Sequence, residues 1–133
     1  GYNGSGRSPM GLTRAWFDEQ QMALVPMRGA LPVTVPGAVD GWFALHGRFG
    51  ALPMQDVLQP AIDHARRGHP VHEVIAVAWA TSVTRLGAFP GFTEQFTIDG
   101  RAPRTGETWT NENLARTYER IAREGRAGFY EGE

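Results

Sequence analysis

Apolar positions recur at helical spacing along much of the chain. From Ala38, positions Val39, Trp42, Phe43, His46 and Phe49 fall three or four residues apart, which predicts a helix closed at Gly50. A second helix starts at Pro53, whose fixed φ suits a first turn, and runs to Gly68. Its stripe is Met54, Val57, Leu58, Ala61, Ile62 and Ala65. Pro60 lies inside that stripe and is expected to kink the helix or to replace one backbone bond by a local adjustment. A third helix is read from Val71 to Leu86 on Val71, Ile75, Ala78 or Trp79, Ser82 and Leu86. The last runs from about Asn111 to Glu124, capped by Thr110 or Thr108 and stopped by Gly125, with Leu114, Tyr118, Ile121 and Ala122 as its buried face. A shorter helix from Pro9 to Phe17 rests on Met10, Thr13 and Trp16 or Phe17.

Between these stretches glycine and proline set the punctuation. Gly1 to Pro9 reads as a glycine-rich extended loop, and residues 20–35 as loop with a short extended piece, Leu31 to Val35. Prolines make an interior strand there unfavourable. Pro36-Gly37 is a turn feeding the following helix. Gly41 inside that helix costs about 0.5–1 kcal/mol relative to alanine, which is expected where another backbone packs closely. Gly87 to Gly106 reads as a long loop holding a small hairpin around Asp99-Gly100. There is no repeat or low-complexity segment, and the fold class expected from the pattern is mainly α.

Composition narrows the function classes. A chain of 133 residues suits one domain that buries about two-thirds of its unfolded surface. Hydrophobic residues at 41% and charged residues at 20% belong to an ordinary soluble globular chain. A net charge of −1 argues against nucleic acid as a partner, which demands a basic excess or stripe. No apolar run approaches the roughly 20 residues that span a membrane, so no membrane partner is expected. All thirteen basic residues are arginine, which reads as the codon bias of a GC-rich genome. Cysteine is absent, so disulfides and thiolate metal sites are excluded. This fits a cytoplasmic and a periplasmic or secreted location equally. Gly1 to Gly6 has neither a basic n-region nor an apolar h-region, so no signal peptide is expected within it.

The candidate chemistry is sparse. The Gly4-x-Gly6 spacing lacks a third glycine for dinucleotide binding, and no Gly-Lys-Ser/Thr follows to make a phosphate loop. His64, His69 and His72 cluster beside Asp63 and Glu73, but not at zinc-protease spacing, and read as residues capping or flanking the junction at Gly68. His46 reads as a core histidine. Asp56, Asp63, Glu73, Glu112 and Glu119 read as solvated helix charges, and Arg66-Arg67 as cations complementing a helix C-terminus. Arg116, Arg120 and Arg123 form a row expected to pair with Glu112, Glu119 or Glu124. Nothing marks a serine or threonine as an activated nucleophile.

One set of motifs carries more. Asn3-Gly4-Ser5-Gly6-Arg7-Ser8-Pro9 and Thr13-Arg14 are followed by Val33-Thr34-Val35-Pro36-Gly37-Ala38-Val39-Asp40-Gly41-Trp42 and Arg48-Phe49-Gly50-Ala51-Leu52-Pro53. Then come Leu58-Gln59-Pro60-Ala61-Ile62, Ala65-Arg66-Arg67-Gly68, Asn113-Leu114-Ala115-Arg116-Thr117 and Gly128-Phe129-Tyr130-Glu131-Gly132. In order and spacing these resemble the gamma-glutamyltransferase family over nearly the whole chain. The resemblance implies the helical part of a four-layer αββα N-terminal-nucleophile hydrolase, with residues 1–133 an internal segment of its large subunit. It also implies a self-cleaving precursor, whose new N-terminal threonine on the small subunit attacks a gamma-glutamyl amide such as glutathione. The acyl-enzyme then passes the glutamyl group to water or to an amino acid. That nucleophile, its amine as general base and the oxyanion glycines are expected outside this chain, so no catalytic residue, cofactor or metal is assigned within it. The segment alone is expected to be inactive.

Typical members place an arginine four residues before the proline matching Pro9, to bind the substrate α-carboxylate. Here that position is Ser5, and the arginine is Arg7. Arg7 either reaches the same carboxylate from a shifted loop, as the one substrate-binding candidate, or is a structural residue beside the glycines. The departure leaves room for a related amide acylase of the cephalosporin-acylase kind, acting on a different acyl group. A non-catalytic helical interaction module is the reading from another class.

Overall fold

The computed structural model describes residues 1–131. The chain forms two compact units, Gly1–Ala51 and Leu52–Glu133. Helix is the main regular structure in both.

In the first unit an extended N-terminal stretch leads to helix α1 (Arg14–Glu19), a long loop and helix α2 (Ala38–Phe49). The helix expected from Pro9 begins only at Arg14. Met10 and Gly11 form a turn, closed by bonds from the Leu12 and Thr13 amides to the Pro9 and Gly11 carbonyls. Thr13 is therefore the N-cap, and its hydroxyl accepts from the Trp16 amide at 3.2 Å. Arg14 and Asp18 pair one turn apart. Leu31 to Val35 forms no strand, as its prolines predict. Helix α2 ends where expected, with the Gly50 amide on the His46 carbonyl at 2.7 Å. Val39 and Gly41 are buried, while Phe49, at the end of the predicted stripe, is 70% exposed.

The second unit is built on helix α3 (Met54–Arg67) packed against helix α6 (Glu112–Glu124). Between them the chain passes through strand β1 (His69–Pro70), helices α4 (Glu73–Leu86) and α5 (Phe92–Phe96), and strand β2 (Thr108–Trp109). Helix α7 (Ala127–Tyr130) follows α6. The core of the α3–α6 pair is Leu58, Ile62 and Ala65 on one helix and Ala115 and Ile121 on the other. Ala115 is a correction to the expected face of α6, since Leu114, Tyr118 and Ala122 lie only at its half-buried margins. Pro60 sits on an exposed position of α3, which stays helical throughout, so the missing N–H is absorbed locally. Gly132, the last residue of the Gly128–Gly132 motif, lies outside the described residues.

Three local readings are corrected here. The two strands pair antiparallel, His69 with Trp109 and Pro70 with Thr108, and no sequence signal announces them. Two residues are too few to show an alternating pattern. The pairing is extended by Val71, whose amide donates to Glu107 at 2.9 Å and whose carbonyl accepts from Gly106 at 2.8 Å. Val71 is thus buried as part of this ribbon, and α4 starts two residues later. Second, the 87–106 loop contains helix α5, tied to α4 by the Trp79 indole N–H donating to the Phe96 carbonyl at 2.8 Å. Its hairpin is present: Ile98 and Arg101 bridge around Asp99 and Gly100, both at positive φ. Third, α6 is capped by Asn111 rather than by Thr108 or Thr110. The Asn111 side chain accepts from the Leu114 amide at 2.9 Å, and its own amide donates to the Ala65 carbonyl at 2.7 Å. Thr108 is occupied in β2.

Candidate functional site

Arg7 lies on the extended N-terminal stretch, in the first unit, where two backbone segments nearly touch. The Val35 amide donates to the Arg7 carbonyl at 2.9 Å. One residue earlier, Gly6 passes so close to Val35 that a Cβ there would collide with the Val35 carbonyl. Across the same contact, a Cβ on Gly37 would collide with the carbonyl of Gly4, and one on Gly4 would sit 3.1 Å from the Gly37 oxygen. The Pro36-Gly37 turn therefore has a second role beyond feeding α2, because its glycine admits the N-terminal stretch against it. Ser5 is held in a local turn, its amide donating to the Asn3 carboxamide at 3.0 Å.

Gly41 faces the same region. A Cβ there would lie 3.4 Å from the Tyr2 ring and 3.9 Å from the Gly4 Cα. The close neighbour is first an aromatic ring and only then a backbone, which refines the expectation for this glycine.

The Arg7 side chain is exposed and has no hydrogen-bond or ion-pair partner among the described residues. A free guanidinium on an anchored main chain can hold a carboxylate by two parallel hydrogen bonds.

The other candidate groups resolve into structural roles in the second unit. The His72 Nδ1 accepts from the Val74 amide at 3.3 Å and caps α4, as its place beside the Gly68 junction suggests. His64 and His69 stand edge to face at 6.5 Å, and His69 meets the Trp109 ring in the same way. Among the described residues no three His, Asp or Glu side chains gather as metal ligands. An open depression of about 740 Å³ runs along α3 past Asp56, Gln59, Asp63, His64 and Arg67. Its carboxylate Asp63 is already engaged by the Gln59 amide at 3.0 Å and by Arg67 at 3.9 Å.

Two ion-pair clusters were not legible in the pattern. Arg66 was expected to serve the end of α3, but it reaches α6 and bridges Glu119 at 2.6 Å and Glu112 at 3.2 Å. Glu112 and Glu119 are therefore not merely solvated, and the Arg66 guanidinium holds both carboxyls below their usual range. Their seven-residue separation, two helical turns on one face, is the signal that could have indicated a shared partner. Arg101 and Glu107 form a two-pronged pair, both bonds 2.8 Å. With the Arg104 amide also donating, Glu107 is pushed down to about 2. The arginine row behaves as expected, with Arg116 on Glu112 and both Arg120 and Arg123 on Glu124.

Comparison with known proteins adds the wider context. The sequence matches the gamma-glutamyltranspeptidase family profile over residues 1–133. It is 38% identical over 133 residues to the glutathione hydrolase-like YwrD proenzyme of Bacillus subtilis, covering 99% of this chain and 25% of that protein. Cephalosporin acylase from Bacillus halodurans matches with a TM-score of 0.89 at 36% identity, over 98% of this chain and 26% of that one. The gamma-glutamyltranspeptidase of Helicobacter pylori matches with a TM-score of 0.90 over 98% of this chain and 39% of that one. At 24% identity this last likeness speaks for the fold alone. The chain thus spans about a quarter of the length of its Bacillus subtilis relative.

Proposed function

The chain belongs to the gamma-glutamyltranspeptidase family, and from that premise we propose that it is an internal large-subunit segment of an autoprocessing gamma-glutamyl hydrolase or transferase. Its fold is the mainly α, helical part of a four-layer αββα N-terminal-nucleophile hydrolase. The match across residues 1–133 is the observation that carries the reading. In this proposal the substrates are gamma-glutamyl amides such as glutathione, and the attacking threonine lies outside this chain, on the small subunit of the same precursor. The name proenzyme borne by the Bacillus subtilis relative supports a cleaved precursor. The reading invokes no cofactor and no metal.

Within the chain, Arg7 is assigned to the substrate α-carboxylate. Its support is the combination of an anchored main chain and a guanidinium with no partner among the described residues. No residue of the chain is assigned to bond making or breaking.

A second reading keeps the chemistry and changes the acyl group. It is favoured by the 36% identity to the Bacillus halodurans cephalosporin acylase and by Ser5 standing where the resemblance expects an arginine.

Intact mass and gamma-glutamyl-p-nitroanilide hydrolysis on the full-length protein test both. Two subunits with hydrolysis are expected, and Arg7→Ala then raises KM by about 30-fold or more, the equivalent of losing at least about 2 kcal/mol from a bidentate contact. Two subunits without hydrolysis favour the acylase reading. A single inactive chain refutes autoprocessing, and an unchanged KM in Arg7→Ala removes Arg7 from the site.

A further inference from the structure

We infer that Gly6 and Gly37 are positioning residues for Arg7, setting the point from which its guanidinium meets the substrate carboxylate. The inference rests on the substrate-binding reading of Arg7.

Arg7 is held through its main chain. Its side chain has no partner among the described residues, so only its main chain determines where the guanidinium can reach. That main chain is fixed against the Val35–Gly37 turn at three successive points. The Arg7 carbonyl takes the Val35 N–H, Gly6 lies on the Val35 carbonyl, and Gly37 lies on the Gly4 carbonyl. The last two contacts exist only because both residues lack a Cβ. In each case the atom in the way is a backbone oxygen, so no side chain can swing aside to make room. A methyl group at either glycine must push the two segments apart and carry the pivot of Arg7 with them. Misplacing a binding group by about 1 Å can cost on the order of 100-fold in kcat/KM.

The glycines of this stretch also form an internal scale. A Cβ on Gly11 meets nothing within 4 Å, and one on Gly4 meets the Gly37 oxygen at 3.1 Å. Those on Gly6 and Gly37 collide outright. If the contact positions Arg7, the effect of alanine should rise in that order. A glycine-rich stretch kept only for flexibility would show no such order.

The test measures kcat and KM for gamma-glutamyl-p-nitroanilide on the full-length processed enzyme. Gly11→Ala, Gly4→Ala, Gly6→Ala and Gly37→Ala are each compared alone and combined with Arg7→Ala. Gly6→Ala and Gly37→Ala are expected to raise KM about tenfold or more with kcat changed less than about threefold, the pattern of lost uniform binding. That effect should vanish in the Arg7→Ala background, since a group acting through Arg7 has nothing left to position. Gly11→Ala should match the parent, and Gly4→Ala should fall between. If the glycine effects persist undiminished without Arg7, the positioning role is refuted while the substrate-binding reading stands. If Arg7→Ala alone leaves KM unchanged, the substrate-binding reading fails and takes the inference with it.

A readout independent of activity comes from trypsin, which cuts after arginine. Gly6→Ala or Gly37→Ala should speed cleavage after Arg7 relative to cleavage after Arg28, and unchanged relative rates would overturn the inference. Should Gly37→Ala fail to fold, the milder Gly4→Ala carries both measurements.

Discussion

Truncation of Ile121 tests whether α3 and α6 form one cooperative pair. Ile121 is 1% exposed on α6, and the facing helix contributes Leu58, Ile62 and Ala65 to the same core. Replacing isoleucine by alanine removes three side-chain carbons, worth about 2.4 kcal/mol at roughly 0.8 kcal/mol each. Incomplete collapse around the vacated space adds to this, giving about 3 kcal/mol or slightly more. Ile121→Val removes one carbon and should cost about 1 kcal/mol. Native-state hydrogen exchange reads these values directly, because slow amides in a packed helix exchange through openings whose free energy the substitution lowers. About 3 kcal/mol corresponds to roughly 150-fold faster exchange, and about 1 kcal/mol to roughly fivefold. The decisive point is where the acceleration occurs. A shared core requires the slow amides of α3 to accelerate along with those of α6. Acceleration confined to α6, or a Val variant as severe as the Ala variant, would rule out a shared core packed around Ile121.

Three further outcomes follow from local geometry. Asn111→Ala should cost about 1 kcal/mol by leaving the Leu114 amide without its cap, and Asn111→Asp should restore most of it; exchange in the first turn of α6 is the measure. Glu107 should titrate near 2, so the stabilisation of its loop is present above the ordinary carboxylate value of about 4.3 and is lost as pH falls through about 2. Carbon-13 titration of its carboxyl checks this, and a midpoint near 4 would mean that the Arg101 pair is not formed. Gly68→Ala should destabilise the β1–β2 ribbon by more than about 1 kcal/mol, because its φ is +81° and a Cβ would lie 2.5 Å from the Thr108 methyl; thermal unfolding followed by Trp109 fluorescence measures it.

The share of the fold that was legible is the share written in short-range chemistry. The ends of α2, α3 and α6 fall at Gly50, Gly68 and Gly125 because a glycine stop acts within one turn. The Asp99-Gly100 hairpin is equally local. The strands were not legible, because Val71 joins a ribbon with residues 106 and 107 that are more than thirty positions away. At the candidate site, Arg7 stood out through its motif. Its anchoring did not, since Gly6 and Gly37 are thirty-one residues apart and each looks like ordinary turn glycine until the two segments meet.

The four long helices, where they stop and the family to which the motifs point were all written in the sequence. Periodicity, capping chemistry and motif order all act over a few residues at a time. Only packing in three dimensions settled which side of α4 is covered and which charges pair between helices. Helix α4 shows the first, with Val74 and Val77 exposed on a helix that is apolar on several sides. Arg66 shows the second: its partners, Glu112 and Glu119, are chosen by the packing of α3 on α6. An ion pair between helices depends on the approach of two elements in space, and no pattern along one of them encodes that distance.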